Sequence, residues 1–76
     1  MIKDLSIVFP VYNEEKRLNN TFKQIIKFKN IFRSHLEIVF VDDGSSDSTL
    51  KLINMFKKKS SKKFKIISIR SKRNMG

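Results

Sequence analysis

Short apolar runs alternate with stretches of helical spacing along this chain, and polar turns separate them. Ile38, Val39, Phe40 and Val41 form an unbroken apolar run. Such a run suits a strand buried on both faces, as in a parallel sheet. Leu5 to Val11 reads LSIVFPV, and Ile7, Val8 and Phe9 make a second run of the same kind. Pro10 cannot donate to a central ladder, so it marks that strand's end. Between the two runs, Leu18, Phe22, Ile25, Ile26 and Phe32 recur at roughly helical spacing, with Lys16, Arg17, Lys23, Lys27 and Arg33 mostly between them. This predicts a helix from about Glu14 to Phe32. Asn13 is a fair N-cap for it, and Glu14 and Glu15 complement the dipole of its first turn. Ser34 and His35 fall in the connection, and His35 reads as a solvated loop residue. Beyond the second strand, Ser45, Ser46 and Asp47 offer N-cap oxygens. Leu50, Ile53 and Phe56 then predict a helix from about Ser48 to Lys58, with Lys57, Lys58 and Lys59 suited to its negative end. Phe64 to Ile69, FKIISI, reads as a third strand.

The order is strand, helix, strand, helix, strand. Crossovers of this length imply parallel pairing and right-handed connections. The fold class is therefore α/β, a β-α-β-α-β unit matching one mononucleotide-binding half of a doubly wound sheet. In the usual 3-2-1 strand order the first strand lies at an open edge, although its residues suit a buried one. An exposed apolar edge is an aggregation liability. The chain thus reads as the beginning of a larger, truncated domain.

Composition narrows the picture. With 76 residues the chain holds at most one small domain, and a chain of about that size buries only about 60% of its unfolded surface. There is no cysteine, hence no disulfide and no thiolate metal site, which fits a reducing compartment. No apolar run approaches the ~18 residues that span a bilayer. The start, MIKDLSIVFP, carries Asp4 and enters a strand at once, unlike a secretory signal. The net charge of +10 comes from 17 Lys+Arg against 7 Asp+Glu. Such a surface attracts phosphates, anionic lipid or nucleic acid. A general bias toward Lys, Ile, Asn and Phe explains it equally well. The run KKKSSKKFK reads first as a solvated loop, with contact to an anionic surface as the sharper alternative.

The candidate chemistry lies where open parallel sheets bind ligands, just beyond the carboxyl ends of the strands. Two turns meet that description: PVYNEE after the first strand and VDDGSSD after the second. A carboxylate there can accept from an imide or amide N–H of a base. Tyr12 could stack on a base face, and the helix starts after Asn13 and Ser46 could receive a phosphate. Asp42 and Asp43 repel each other, so one needs a raised pKa or a cation beside it. Gly44 permits a positive φ in a tight turn. Each residue also has a plainer role. Asp42 or Asp47 could simply cap the second helix, Asn13 and Glu14 could be a cap and a dipole partner, Tyr12 could be a packing residue, and Pro10 is structural in any case. No P-loop, G-x-G-x-x-G or H-E-x-x-H motif is present.

Taken together, IVFPVYNEEKRL and LEIVFVDDGSSDSTLKLI resemble the N-terminus of family 2 glycosyltransferases of the GT-A fold. Within these they look most like the dolichyl-phosphate glucosyltransferase and polyprenyl-phosphate glycosyltransferase group. The closing RNMG resembles the start of that group's N-x-G-K-G loop. The resemblance implies that residues 1–76 are the nucleotide-binding portion of an incomplete, Rossmann-like GT-A domain. It assigns the nucleotide site to Pro10, Tyr12, Asn13, Glu14, Asp42, Asp43 and Gly44, with Asp43 accepting from the uracil imide. It implies UDP-glucose as donor and a polyprenyl or dolichyl phosphate as acceptor, giving a lipid-linked sugar of inverted anomeric configuration. It also implies Mg2+ or Mn2+ in the full-length family. The D-x-D motif that binds this metal follows a later strand, and adjacent Asp42 and Asp43 are not that motif, so no metal site and no catalytic residue is expected in this chain. Transferase activity from these residues alone is not expected either. The expected location is the cytoplasm, or the cytoplasmic face of a membrane, with an anionic membrane surface as a further partner.

Three other readings compete. A phospho-receiver domain would carry its acidic pair after the first strand, not the second. A single-strand nucleic-acid module would interleave basic residues with exposed aromatics, whereas the phenylalanines here sit at apolar periodic positions; no nucleic-acid partner is expected. A small stand-alone nucleotide-binding or interaction domain without catalysis is the remaining alternative.

Overall fold

The computed structural model describes residues 4–71. It contains β1 (Asp4–Val11), α1 (Glu15–Ile31), β2 (His35–Asp42), α2 (Thr49–Phe56), a 3-10 turn (Lys57–Lys59) and β3 (Phe64–Arg70). The tail at Arg73 to Gly76, which carries the resemblance to N-x-G-K-G, lies outside the described residues.

The three strands form one sheet in the order β1-β2-β3, and both pairings are parallel. This is the expected β-α-β-α-β arrangement, with β1 at an edge and β2 in the middle. Each crossover steps one place in the same direction across the sheet. Right-handed connections then place α1 and α2 on the same face. That face holds the core. Leu36, Ile38 and Phe40 of β2 meet Leu18 and Ile25 of α1, Ile53 and Phe56 of α2, and Phe64 and Ile66 of β3. Phe22 binds the layers together: it stacks on Phe56 with ring centroids 4.1 Å apart and meets Phe40 edge-on at 5.8 Å. Aromatic pairs of this kind add about 0.5–1.5 kcal/mol beyond simple burial.

One-sided coverage corrects the expectation that the strands are buried on both faces. Along β1, Leu5, Ile7 and Phe9 are half-buried toward the helices, while Ser6, Val8 and Pro10 are exposed. Val8 is 57% accessible. Along β2, Leu36, Ile38, Phe40 and Asp42 are buried and the alternate residues only half so. An unbroken apolar run gives no phase by which to tell one covered face from two.

Smaller corrections follow from the same geometry. Pro10 does not end β1, which continues through Val11 paired with Asp42. An edge strand tolerates a residue that cannot donate to a ladder. His35 is the first residue of β2 and not part of the connection; it is exposed, with Nδ1 3.4 Å from Asp4 Oδ1 on the neighbouring strand. The helices fall within a residue or two of the expected bounds, and the last turn of the second tightens into the 3-10 turn, as helix ends commonly do.

Candidate functional site at the carboxyl edge of the sheet

Because β1 and β2 pair in register down to Val11 and Asp42, the two strands end at the same level. The ladder even gains one further rung: the Asp43 N–H donates to the Val11 carbonyl at 3.0 Å. Tyr12 and Asp43 therefore leave the sheet side by side. Two left-handed residues turn the chains sharply here, Asn13 at φ +49 and Gly44 at φ +85. Glycine adopts this conformation freely, and Asn adopts it more readily than most other residues with a Cβ.

The loops after the two strands are stitched to each other. The Asn13 side-chain oxygen accepts from the N–H groups of Ser46 at 2.8 Å and Asp47 at 3.3 Å. In return the Asn13 N–H donates to Ser45 Oγ at 2.9 Å, the Glu14 N–H to Thr49 Oγ1 at 2.8 Å and the Glu15 N–H to Asp47 Oδ2 at 3.3 Å. Glu15 Oε1 accepts from the Ser48 N–H at 2.8 Å, and Asp47 Oδ1 from the Thr49 N–H at 2.9 Å. Each loop thus supplies acceptors for the donors that open the other's helix. This corrects two expectations. Asn13 does not cap its own helix, whose start has no side-chain cap. The amides of Glu14, Glu15, Ser46, Asp47, Ser48 and Thr49 are engaged inside the protein, so they are not offered to a phosphate.

Asp42 and Asp43 differ sharply in environment. Asp42 is fully buried. Its carboxylate accepts from the Ser45 hydroxyl and, at 3.3 Å, from the Ser45 N–H. Arg70 Nη1, at the end of β3, stands 3.8 Å away. The cation that the adjacent acids call for is therefore Arg70. Asp43 is exposed. Tyr12 is 57% exposed and Gly44 is also at the surface. Glu14 is half-buried and lies 3.6 Å from Arg17. Pro10 lies on the face of the sheet opposite the helices.

The pKa of the half-buried Asp47 is lowered. Desolvation pushes it up, but hydrogen bonds from the Thr49 hydroxyl and amide, and from the Glu15 amide, outweigh this and hold it below the ordinary 3.8. Sequence reasoning named Asp47 only as a cap and missed Thr49, Glu15 and Arg70 as parts of the site. A hydroxyl-rich SSDST after an acidic strand end was the available signal. Nothing local could show that its partners lie over thirty residues earlier.

The result is a firm rim that presents an exposed aromatic ring and an exposed carboxylate from neighbouring positions. Among the described residues, no group of three or more His, Cys, Asp or Glu is placed to hold a metal ion.

Residues 6–76 match the family model for glycosyl transferase family 2. The chain is 35% identical to a dolichyl-phosphate beta-glucosyltransferase of Dictyostelium discoideum, over 95% of this chain and 24% of that protein. It is 39% identical to an uncharacterized glycosyltransferase of Synechocystis, over 100% of this chain and 23% of that protein. It is 40% identical to a prophage bactoprenol glucosyl transferase homolog of Escherichia coli, over 66% of this chain and 16% of that protein. The chain thus spans a quarter or less of the length of these curated relatives. No solved structure gives a significant match. With the strand order expected of such a domain, and a family match running from β1 to the last residue, the chain belongs to glycosyl transferase family 2.

Proposed function

We propose that this chain supplies the nucleotide-binding portion of a transferase that moves glucose from UDP-glucose to a polyprenyl or dolichyl phosphate. The observation that supports this most is the joining of the two loops through Asn13, Ser45, Asp47 and Thr49, which sets Tyr12 beside Asp43. The Tyr12 ring would stack on the base, and the Asp43 carboxylate would accept from the uracil imide N–H. Asn13, Asp42 and Gly44 act one step back, by holding the loops in shape. Glu14 and Pro10 flank the rim.

The choice of sugar and lipid acceptor is supported by the names of the Dictyostelium and Escherichia relatives, a dolichyl-phosphate beta-glucosyltransferase and a bactoprenol glucosyl transferase homolog. A lipid-linked acceptor is also the reason to propose work at the cytoplasmic face of a membrane. No described helix is long and apolar enough to cross a membrane. The Mg2+ or Mn2+ implied by the family finds no fitting donor set among the described residues. Asp42 is buried and committed to Ser45 and Arg70, and no third acid or histidine joins it and Asp43 in a metal-binding group. The metal and the acceptor are assigned to other parts of the domain, and residues 1–76 alone should transfer no sugar.

Calorimetric titration of the full-length protein with UDP, CDP and ADP tests the nucleotide site. UDP should bind tightest. Asp43→Ala should weaken UDP about 10- to 100-fold, the value of a hydrogen bond to a charged group. Tyr12→Ala should weaken all three nucleotides, by a similar factor, through lost stacking. Equal affinity for UDP and ADP, or an Asp43→Ala variant that binds UDP normally, would sink the proposal.

A further inference from the structure

Charge is segregated within the fold. From Lys16 to Ile31, and again from Thr49 to Lys59, the sequence contains no Asp or Glu, while the first segment carries five Lys or Arg and the second four. These segments are α1 beyond its first residue, and α2 with the turn that follows it. All seven acids lie instead in β1, in β2, in the two stitched loops or at the first residue of α1. Between α1 and α2 runs an open groove of about 580 Å³. Phe22, Ile26 and Phe56 line its floor, and Lys23, Lys27 and Lys59 line its rim. The same two helices expose large apolar side chains to water: Ile31 is 74% accessible and Met55 56%.

We propose that this helix face docks the protein on an anionic lipid surface. An apolar floor rimmed by long cationic side chains matches the boundary between acyl chains and phosphate headgroups. Lysines there can keep their ammonium groups at phosphate level while their stems lie along apolar surface. The absence of acids removes the repulsion that would oppose approach to a negative leaflet. A single-stranded nucleic acid fits this face less well, because it needs free ring faces for stacking. Here Phe22 and Phe56 are already stacked on each other, and Phe56 is buried. The docking face is separate from the Tyr12–Asp43 rim, so it does not depend on the nucleotide reading.

Co-sedimentation with vesicles tests this. The full-length protein should pellet with phosphatidylcholine vesicles that contain phosphatidylglycerol more than with phosphatidylcholine alone, and added salt should release that excess. The combined variant Lys23→Glu, Lys27→Glu, Lys59→Glu should weaken the anionic preference by on the order of a hundredfold or more, as each lysine near such a surface contributes appreciably. A charge-matched control, Lys62→Glu, Lys63→Glu, Lys65→Glu, alters a different depression, one shared with Asp4, His35 and Glu37, and should lose far less. Met55→Ser, which leaves the charge unchanged, should also weaken binding to the mixed vesicles. An unchanged circular dichroism spectrum and urea midpoint in the first variant would show that the fold is intact. Equal losses in the two triple variants, no preference for anionic vesicles, or retention on single-stranded DNA without vesicle binding would each overturn the proposal.

Discussion

Replacing Asn13 with Ala tests how far one side chain holds the two loops together. The substitution removes two acceptor contacts, a good one to the Ser46 N–H at 2.8 Å and a long one to the Asp47 N–H at 3.3 Å. Net hydrogen bonds are worth about 0.5–1.5 kcal/mol each, and these lie near the surface, so together they contribute about 1 kcal/mol. Ala must also hold the φ of +49 that Asn tolerates, which adds about 1 kcal/mol. The expected loss is about 2 kcal/mol, out of about 4–11 kcal/mol for a domain of this size. Asn13→Gly loses the same contacts but relieves the backbone, so it should cost only about 1 kcal/mol. Urea denaturation of the chain, followed by circular dichroism, should give midpoints in the order wild type, Gly, Ala, with unchanged slope. UDP affinity of the full-length protein should fall in both variants, because released loops must be ordered again on binding. A Gly variant less stable than the Ala variant, or both equal to wild type, would refute the assignment of Asn13 as the clasp between the loops.

Two further outcomes are expected from the same site. Asp42→Ala strands the Ser45 amide and hydroxyl in a buried setting and leaves Arg70 without its carboxylate. It should destabilise by about 2–4 kcal/mol, with Asp42→Asn less severe, as read from denaturation midpoints. The pKa of Asp47 is lowered in the fold, so its hydrogen bonds stabilise fully above the ordinary value of 3.8, and this contribution fades as the pH falls through the lowered folded value. Asp47→Asn should therefore flatten the pH dependence of stability in that acid range while leaving the neutral-pH dependence alone.

Much of this architecture is legible in the sequence. The runs around Ile7–Phe9 and Ile38–Val41 located two strands, and the spacing from Leu18 to Phe32 located α1, because burial of one helix face leaves a periodic trace. Gly44 announced its positive φ because few other residues tolerate it. What was not legible is relational. No pattern in IVF shows that both crossovers fall on one face, which is set by strand order and handedness. The residues DDGSSD show an acidic turn, but not that Asp42 turns inward onto Ser45 and Arg70 while Asp43 stays at the surface. Asn13 beside Glu14 and Glu15 reads as a cap for the helix it precedes. Its oxygen instead serves amides more than thirty residues away, a contact that exists only once β1 and β2 have paired.

That mutual stitching has a consequence for how the site comes into being. The second loop has bonds of its own, from Ser45 to Asp42 and from Thr49 to Asp47, but the bonds between the loops are shared, so neither loop is fully held while the other is missing. The rim should behave as one foldon, with its amides opening to solvent exchange together and with the same free energy. A partly built rim, with Tyr12 in place and Asp43 astray, lacks the shared bonds that hold it.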